Sequence, residues 1–141
     1  MPNPMTGTAV AIFNSHAEFI YTLRGALEQE GLTTVTALLA EIQDGTLDLV
    51  AFLEAHDPHV IVYDLPRPFE RHWNFLRLLK QTHGLRRKAW ILTTTDKEAL
   101  DAAVGASGVI EIIFGEPYGV REVVEAVHNA MSNGPPLKPE E

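Results

Sequence analysis

Short apolar runs alternate along this chain with longer segments of helical periodicity. The runs are nearly continuous in apolar residues, whereas a strand with one solvent-facing side alternates apolar and polar residues. They therefore predict strands that are buried on both faces of a sheet. The five predicted strands are Thr8 to Phe13, Leu32 to Leu38, His59 to Asp64, Lys88 to Thr93 and Val109 to Phe114.

The segments between these runs place apolar residues three or four positions apart, which is the spacing of one helix face. We therefore expect five amphipathic helices, one after each strand. Their predicted buried faces are Phe19, Leu23 and Leu27; Leu47, Val50 and Leu53; Trp73, Leu76 and Leu79; Ala99, Ala103 and Val104; and Val120, Val123, Val127 and Met131.

Residues at the ends of the helical segments agree with this interpretation. The stretches Ser15-x-x-Glu18 and Thr95-x-x-Glu98 have the spacing of capping boxes, in which a hydroxyl and a glutamate each satisfy a free backbone N–H. Gly31 and Gly84 follow helical faces, where a left-handed C-terminal residue is favoured.

Five successive strand–helix units predict an α/β fold, a five-stranded doubly wound parallel sheet with helices on both faces. The usual strand order of such a sheet is 2-1-3-4-5, in a flavodoxin-like three-layer sandwich. We expect one domain over residues 8–131. Residues 1–7 and 132–141 are expected to be disordered, because they are rich in proline and polar residues.

Composition excludes several functional classes. Eleven basic residues against 19 acidic ones give a net charge of -8, which argues against binding along a nucleic-acid backbone. The chain has no cysteine, so disulfides, thiolate metal sites and cysteine nucleophiles are excluded. No apolar stretch has the length of a membrane span, and residues 1–7 lack the pattern of a secretory signal. We expect a cytoplasmic protein with no membrane and no nucleic-acid partner.

The predicted fold places candidate site residues where the strands end, because ligands of doubly wound sheets bind outside the carboxyl ends of the strands. Asp64 is the central candidate, since it ends the third strand and the first and third strands should be neighbours. Considered alone, Asp64 is equally compatible with a cap of the following loop. The other residues at these ends are Asn14, Ser15, Thr93, Thr94, Gly115, Glu116 and Pro117.

Four features, taken in chain order, resemble the receiver domain of two-component response regulators, the CheY-like family. Asp64 is followed by Leu65 and, four residues on, by Pro68, as in the phosphoacceptor stretch of that family. Thr93 stands at the position of the family's switch hydroxyl. The stretch Gly105 to Gly108 leads into the last strand, and Pro117-Tyr118 occupies the place of the family's proline–aromatic pair. The resemblance covers Thr8 to Met131.

The resemblance implies a signalling function and names its residues. Asp64 would accept a phosphoryl group from a histidine kinase with the help of Mg²⁺, and Thr93 would sense that group. The surface formed by the fourth helix, the fifth strand and the fifth helix would then change its partners, which are a histidine kinase, another signalling protein or a second copy in a homodimer. Pro68, Pro117 and Tyr118 would belong to the adjacent loops. No enzymatic activity is expected.

The chain departs from the family at the positions that surround the acceptor. Asn14 and Ser15 replace the acidic pair that holds Mg²⁺, and Glu116 replaces the lysine. Mg²⁺ prefers carboxylates, so no metal site is assigned beyond Asp64 as a weak candidate ligand, and no cofactor is expected. Ser15 is better explained as the cap of the first helix. Replacing a lysine about 5 Å from the phosphoryl group by a glutamate changes their interaction by about 6 kcal/mol per unit charge at an effective dielectric constant of about 20.

The sequence therefore predicts a receiver-like signalling protein with a degenerate phosphorylation pocket that acts mainly through protein–protein contacts. Two alternatives remain open at this point. One is a working receiver that is phosphorylated on Asp64 with unusual metal ligation. The other is a flavodoxin-like module that binds a nucleotide or flavin in the crevice at the strand ends.

Overall fold

The computed structural model describes residues 9–81, 85–105, 109–112 and 118–133. Within these ranges the chain forms five strands and six helices, and a short 3₁₀ turn precedes the fourth strand. The strands are β1 Val10–Asn14, β2 Thr34–Leu38, β3 Val60–Asp64, β4 Ala89–Thr94 and β5 Ile110–Glu111. The helices are α1 Ala17–Gln29, α2 Leu39–Gln43, α3 Leu49–His56, α4 Phe69–Lys80, α5 Lys97–Val104 and α6 Tyr118–Asn133, with the 3₁₀ turn at Leu85–Arg87.

The five strands form a single parallel sheet in the order β2-β1-β3-β4-β5. This confirms the predicted doubly wound α/β fold and its strand order. The register pairs Phe13 with Tyr63 and Asp64 with Thr93. The carboxyl ends of β1, β3 and β4 therefore meet at one edge of the sheet, where the sequence places the candidate site.

Side-chain alternation along the strands divides the core into two layers. Phe13 and Tyr63 point to the layer that packs against α2, α3, α4 and α5. Ile12 and Val62, one residue earlier in each strand, point to the layer that packs against α1 and α6. Both layers are apolar and buried, which explains why the strands read as continuous apolar runs.

The segment after β2 contains two helices, whereas the sequence predicted one. The chain turns at Asp44 to Thr46, where Gly45 has φ +84° and the Asp44 carboxylate accepts a hydrogen bond from the Thr46 N–H at 3.0 Å. Asp48 then caps α3 by accepting from the Ala51 N–H at 3.2 Å. Leu47 lies before α3, so its predicted place on a helix face with Val50 and Leu53 was wrong.

Both predicted capping boxes were also wrong. The first helix begins after His16, which makes no side-chain cap, and Ser15 lies outside it. The N-cap of α5 is Asp96, whose carboxylate accepts from the Ala99 N–H at 3.1 Å, and not Thr95. Gly31 does adopt the expected left-handed conformation after α1, with φ +88°.

Three smaller differences concern α5, α6 and β5. Ala103 is exposed, and the buried residue of α5 is Leu100, so the predicted small-residue face was misplaced. Helix α6 ends at Asn133, two residues beyond the predicted domain boundary. Gly84 and the end of the fifth predicted strand lie outside the described residues. Within the described ranges, no helix combines the length and apolar character that a membrane crossing requires.

Candidate functional site

The buried polar side chains of the described chain cluster at one edge of the sheet. They are Asn14, Asp64, Thr93 and Thr94, which are 3%, 4%, 0% and 0% exposed. Asn14 ends β1, Asp64 ends β3, and the two threonines end β4. Because buried polar groups are destabilising unless they are hydrogen-bonded, their concentration at the predicted switch point of the sheet marks this edge as the candidate site.

Asp64 is held by the strand beside it. It pairs in register with Thr93, and the Thr93 hydroxyl donates a hydrogen bond of 2.8 Å to Asp64 Oδ1. The parallel pairing of β3 with β4 brings together these two residues, which are 29 positions apart in the chain.

Burial dominates the ionisation of Asp64. Desolvation raises the pKa of its carboxyl from 3.8 to about 6, and the hydrogen bond from Thr93 opposes that rise only in part. The carboxyl is thus mostly ionised at neutral pH, but its negative charge is poorly compensated by the described surroundings. A carboxylate in this state can act as a nucleophile or accept hydrogen bonds.

The Asn14 side chain forms a hydrogen bond with the backbone. Its Oδ1 accepts a hydrogen bond of 2.9 Å from the His16 N–H, at the start of α1. The side-chain oxygen, which is a neutral acceptor, therefore closes a local turn. Ser15, the other half of the predicted degenerate pair, is exposed.

Thr94 is a structural residue of the site to which sequence reasoning assigned no function. Its hydroxyl donates to the Leu65 carbonyl at 3.0 Å, and the Leu65 N–H donates to the Thr93 carbonyl at 2.8 Å. These two bonds fasten the residue that follows Asp64 to the end of β4. The run of three threonines was the available signal, but nothing in it distinguishes the buried ones from Thr95.

The loop between Asp64 and α4 is further held by Arg67. Its guanidinium forms an ion pair of 2.6 Å with Asp96, and it lies 4.9 Å from the centre of the Phe69 ring. Pro68, which follows a cis peptide bond, is the N-cap of α4. The pairing of Arg67 with Asp96 spans 29 residues, and no sequence spacing could have predicted it.

The remaining residues of the predicted pocket belong to the loops around β5. Glu116, Pro117 and three residues of the Gly105 to Gly108 stretch lie outside the described residues. Tyr118 begins α6, but its side chain is not described. Gly105 ends α5 with φ +67°, a left-handed conformation that glycine adopts without strain.

The fold and the site define a doubly wound α/β sandwich with a buried aspartate at its switch point, and solved structures share that architecture. The chemotaxis response regulator CheY4 of Vibrio cholerae has a TM-score of 0.60 and 20% identity, over 86% of this chain and 99% of that one. A structure described as a transiently phosphorylated switch in bacterial signal transduction has a TM-score of 0.62 and 26% identity, over 89% of this chain and 95% of that one.

The chain therefore has the fold of a CheY-like receiver domain. No family model matches the sequence, and a search of curated proteins gives no match either, so the likeness rests on structure. A second crystal structure of Vibrio cholerae CheY4, obtained at low pH, agrees with a TM-score of 0.58 and 19% identity.

The described residues do not fit the Mg²⁺ ion that a receiver fold implies. Within the described ranges, no three His, Cys, Asp or Glu side chains converge in a way that could hold a metal ion. Asn14 offers a neutral oxygen that already accepts a hydrogen bond. Asp64 alone would supply too few ligands for a cation that requires near-octahedral oxygen coordination.

Proposed function

We propose that this chain is a receiver-type signalling protein whose phosphorylation pocket is degenerate and which acts mainly through protein–protein contacts. The receiver fold supports a response-regulator role in general. The degenerate character is supported by the residues around Asp64, where an amide replaces a carboxylate and no metal cluster is found among the described side chains.

The observation that carries this proposal is the hydrogen bond from the His16 N–H to Asn14 Oδ1. In a metal-assisted acceptor site, the side chain at this position must offer an unoccupied, preferably charged oxygen to the cation. Here that oxygen satisfies a backbone N–H at the start of α1. Releasing it for a metal ion would leave the His16 N–H in need of another acceptor.

A working phosphoacceptor is the second candidate, and the contact between Asp64 and Thr93 favours it. An ionised carboxylate could attack the phosphorus of a donor such as acetyl phosphate, forming an acyl phosphate as acetate leaves. The Thr93 hydroxyl, 2.8 Å from Asp64 Oδ1, is placed to donate to an oxygen that arrives there. This candidate requires an unusual metal site or none.

The two candidates differ in a direct measurement. Intact-protein mass would be followed after incubation with acetyl phosphate and Mg²⁺, beside an ordinary receiver and the Asp64→Ala variant. The proposed function predicts no phosphoryl-sized mass gain under conditions that modify the ordinary receiver. A gain that disappears in Asp64→Ala would instead establish the working phosphoacceptor.

The partner of a degenerate receiver would be a histidine kinase, another signalling protein or a second copy of the chain. The surface that we expect to contact this partner is the one predicted from the fourth helix, fifth strand and fifth helix of the sequence, which are α5, β5 and α6. Light scattering across a concentration series tests the homodimer, which predicts a mass that rises to twice that of the chain. The nucleotide- or flavin-binding alternative stays a prediction, and the absorbance of the purified protein tests it.

A further inference from the structure

A cavity of about 410 Å³ lies between α2 and α4. Leu39 and Ile42 of α2 form one wall, Phe75 of α4 forms the opposite wall, and Tyr63 of β3 lies at the base. Binding pockets for small molecules usually measure about 300–1,000 Å³ and are mostly apolar. Asp64 does not line this cavity, although Arg67 and Pro68 of the loop that follows Asp64 do.

The polar part of the lining is cationic, although the chain as a whole is strongly acidic. Arg67 and Arg71 line it, and among the described residues no aspartate or glutamate does. The whole chain has 11 basic residues and a net charge of -8. The described lining, with two arginines and no carboxylate, therefore has a positive charge on a chain whose net charge is negative. A positively charged lining favours an anionic ligand.

The two arginines differ in their availability. Arg67 is paired with Asp96, so much of its charge is already compensated. Arg71 is exposed, and among the described residues no carboxylate lies within ion-pair distance of it. Burial lowers the pKa of the neighbouring His72, and the charge of Arg71 lowers it further. His72 is consequently a neutral hydrogen-bonding group in the lining at neutral pH.

The apolar part of the lining is unusual for a surface. Phe75 is 42% exposed and is one of the few large apolar side chains in the described chain that water reaches to this extent. It faces the cavity together with Tyr63. Two aromatic rings near the mouth and base suit a planar apolar body, since aromatic pairs stabilise each other beyond the area that they bury.

We propose that this cavity is a binding site for a small aromatic anion. Its ring system would lie against Ile42, Phe75 and Tyr63, and its carboxylate, sulfonate or phosphate group would bind the Arg71 guanidinium. Charge-assisted hydrogen bonds of this kind are about twice as strong as neutral ones, so Arg71 supplies the selectivity for an anion.

Fluorescence titration with anilinonaphthalenesulfonate, an aromatic anion, tests the site on the full chain. We expect saturable binding of one dye per chain, weakened by at least about tenfold in Arg71→Gln, because a hydrogen bond to a charged group is lost. Arg77→Gln is the matched control, because Arg77 is another exposed arginine of α4 that does not line the cavity. It should leave the affinity unchanged, and the uncharged analogue N-phenylnaphthylamine should bind both variants equally.

Competition experiments test whether the site requires an acidic group on the ligand. Naphthoate or naphthyl phosphate should displace the dye, and either result supports the proposal, whereas naphthol should displace it at least tenfold less well. Ile42→Trp, which fills the cavity, should abolish binding. If that variant fails to fold by circular dichroism, the Arg71→Gln and Arg77→Gln pair still decides. Binding that does not saturate, equal losses in the two arginine variants, or equal displacement by naphthol would overturn the proposal.

Discussion

Replacing Asp64 by asparagine should stabilise the protein at neutral pH and leave it nearly unchanged in acid. The substitution keeps the shape of the side chain and an oxygen that can accept from Thr93, but it removes the buried charge. Asp64 is 4% exposed, so solvent screens that charge weakly. The effect should therefore appear only where the wild-type carboxyl is ionised.

The sign follows from the direction of the shift. The folded-state pKa of Asp64 is raised from 3.8 to about 6, so the folded protein binds this proton more tightly than the unfolded chain does. The stability contributed by the neutral carboxyl is fully present below about pH 3.8 and is lost as the pH rises through about 6. The complete loss is about 3 kcal/mol, from about 1.36 kcal/mol per pKa unit.

Urea denaturation followed by tryptophan fluorescence at several pH values measures this directly. The free energy of unfolding of Asp64→Asn minus that of wild type should be near zero at the acid end and rise to about 2–3 kcal/mol above pH 7. Asp101→Asn, which removes an exposed carboxylate from α5, should change the free energy of unfolding by less than about 0.5 kcal/mol throughout. A difference curve that is flat, or an asparagine variant that is less stable than the wild type at pH 7, would show that burial of the Asp64 charge does not destabilise the fold.

Three further substitutions test the contacts around the site by the same denaturation assay. Thr94→Val removes the buried hydrogen bond to the Leu65 carbonyl and should lower the free energy of unfolding by about 1–3 kcal/mol; an unchanged value would show that the bond does not hold the loop. Asp96→Ala removes the cap of α5 and the partner of Arg67 and should lower it by about 1 kcal/mol. Thr95→Ala should change it by less than about 0.5 kcal/mol, whereas a loss as large as that of Asp96→Ala would restore the capping box that the sequence suggested.

Much of the fold was predictable because its signals are local and repeated. A strand buried on both faces needs apolar residues at every position, as in Val60 to Tyr63, and such runs can be read without knowing their partners. Strand order followed from the preference of five strand–helix units for one topology. The same rule placed Asp64 at the switch point, and the register with Thr93 agrees with it.

The helix starts were less predictable because several polar residues competed for each cap. In the sequence Thr94-Thr95-Asp96, both Thr95 and Asp96 can cap a helix, and the aspartate does so. At α1, the Asn14 amide accepts from the His16 N–H, so a cap at Ser15 was not needed. A capping-box pattern gives the spacing of the two partners. It does not show which of two adjacent polar residues accepts the hydrogen bond from the helix.

Contacts between distant segments could not be predicted from a single sequence. The ion pair of Arg67 with Asp96 and the cavity between α2 and α4 both depend on how separate helices pack. The division of the second helical segment into α2 and α3 was also not predicted, although the stretch Asp44-Gly45-Thr46 is typical of a turn. The apolar periodicity on both sides of that turn concealed it.

Two proteins compared in the acetyl phosphate assay show whether the neighbours of Asp64 limit its phosphorylation. The first is the wild type, and the second carries Asn14→Asp, Ser15→Asp and Glu116→Lys, which restore the charges of the receiver family. We expect no Mg²⁺-dependent mass gain in the wild type and a phosphoryl-sized gain on Asp64 in the triple variant. Equal modification of both proteins would contradict it, because the replaced neighbours would then not limit the chemistry of Asp64.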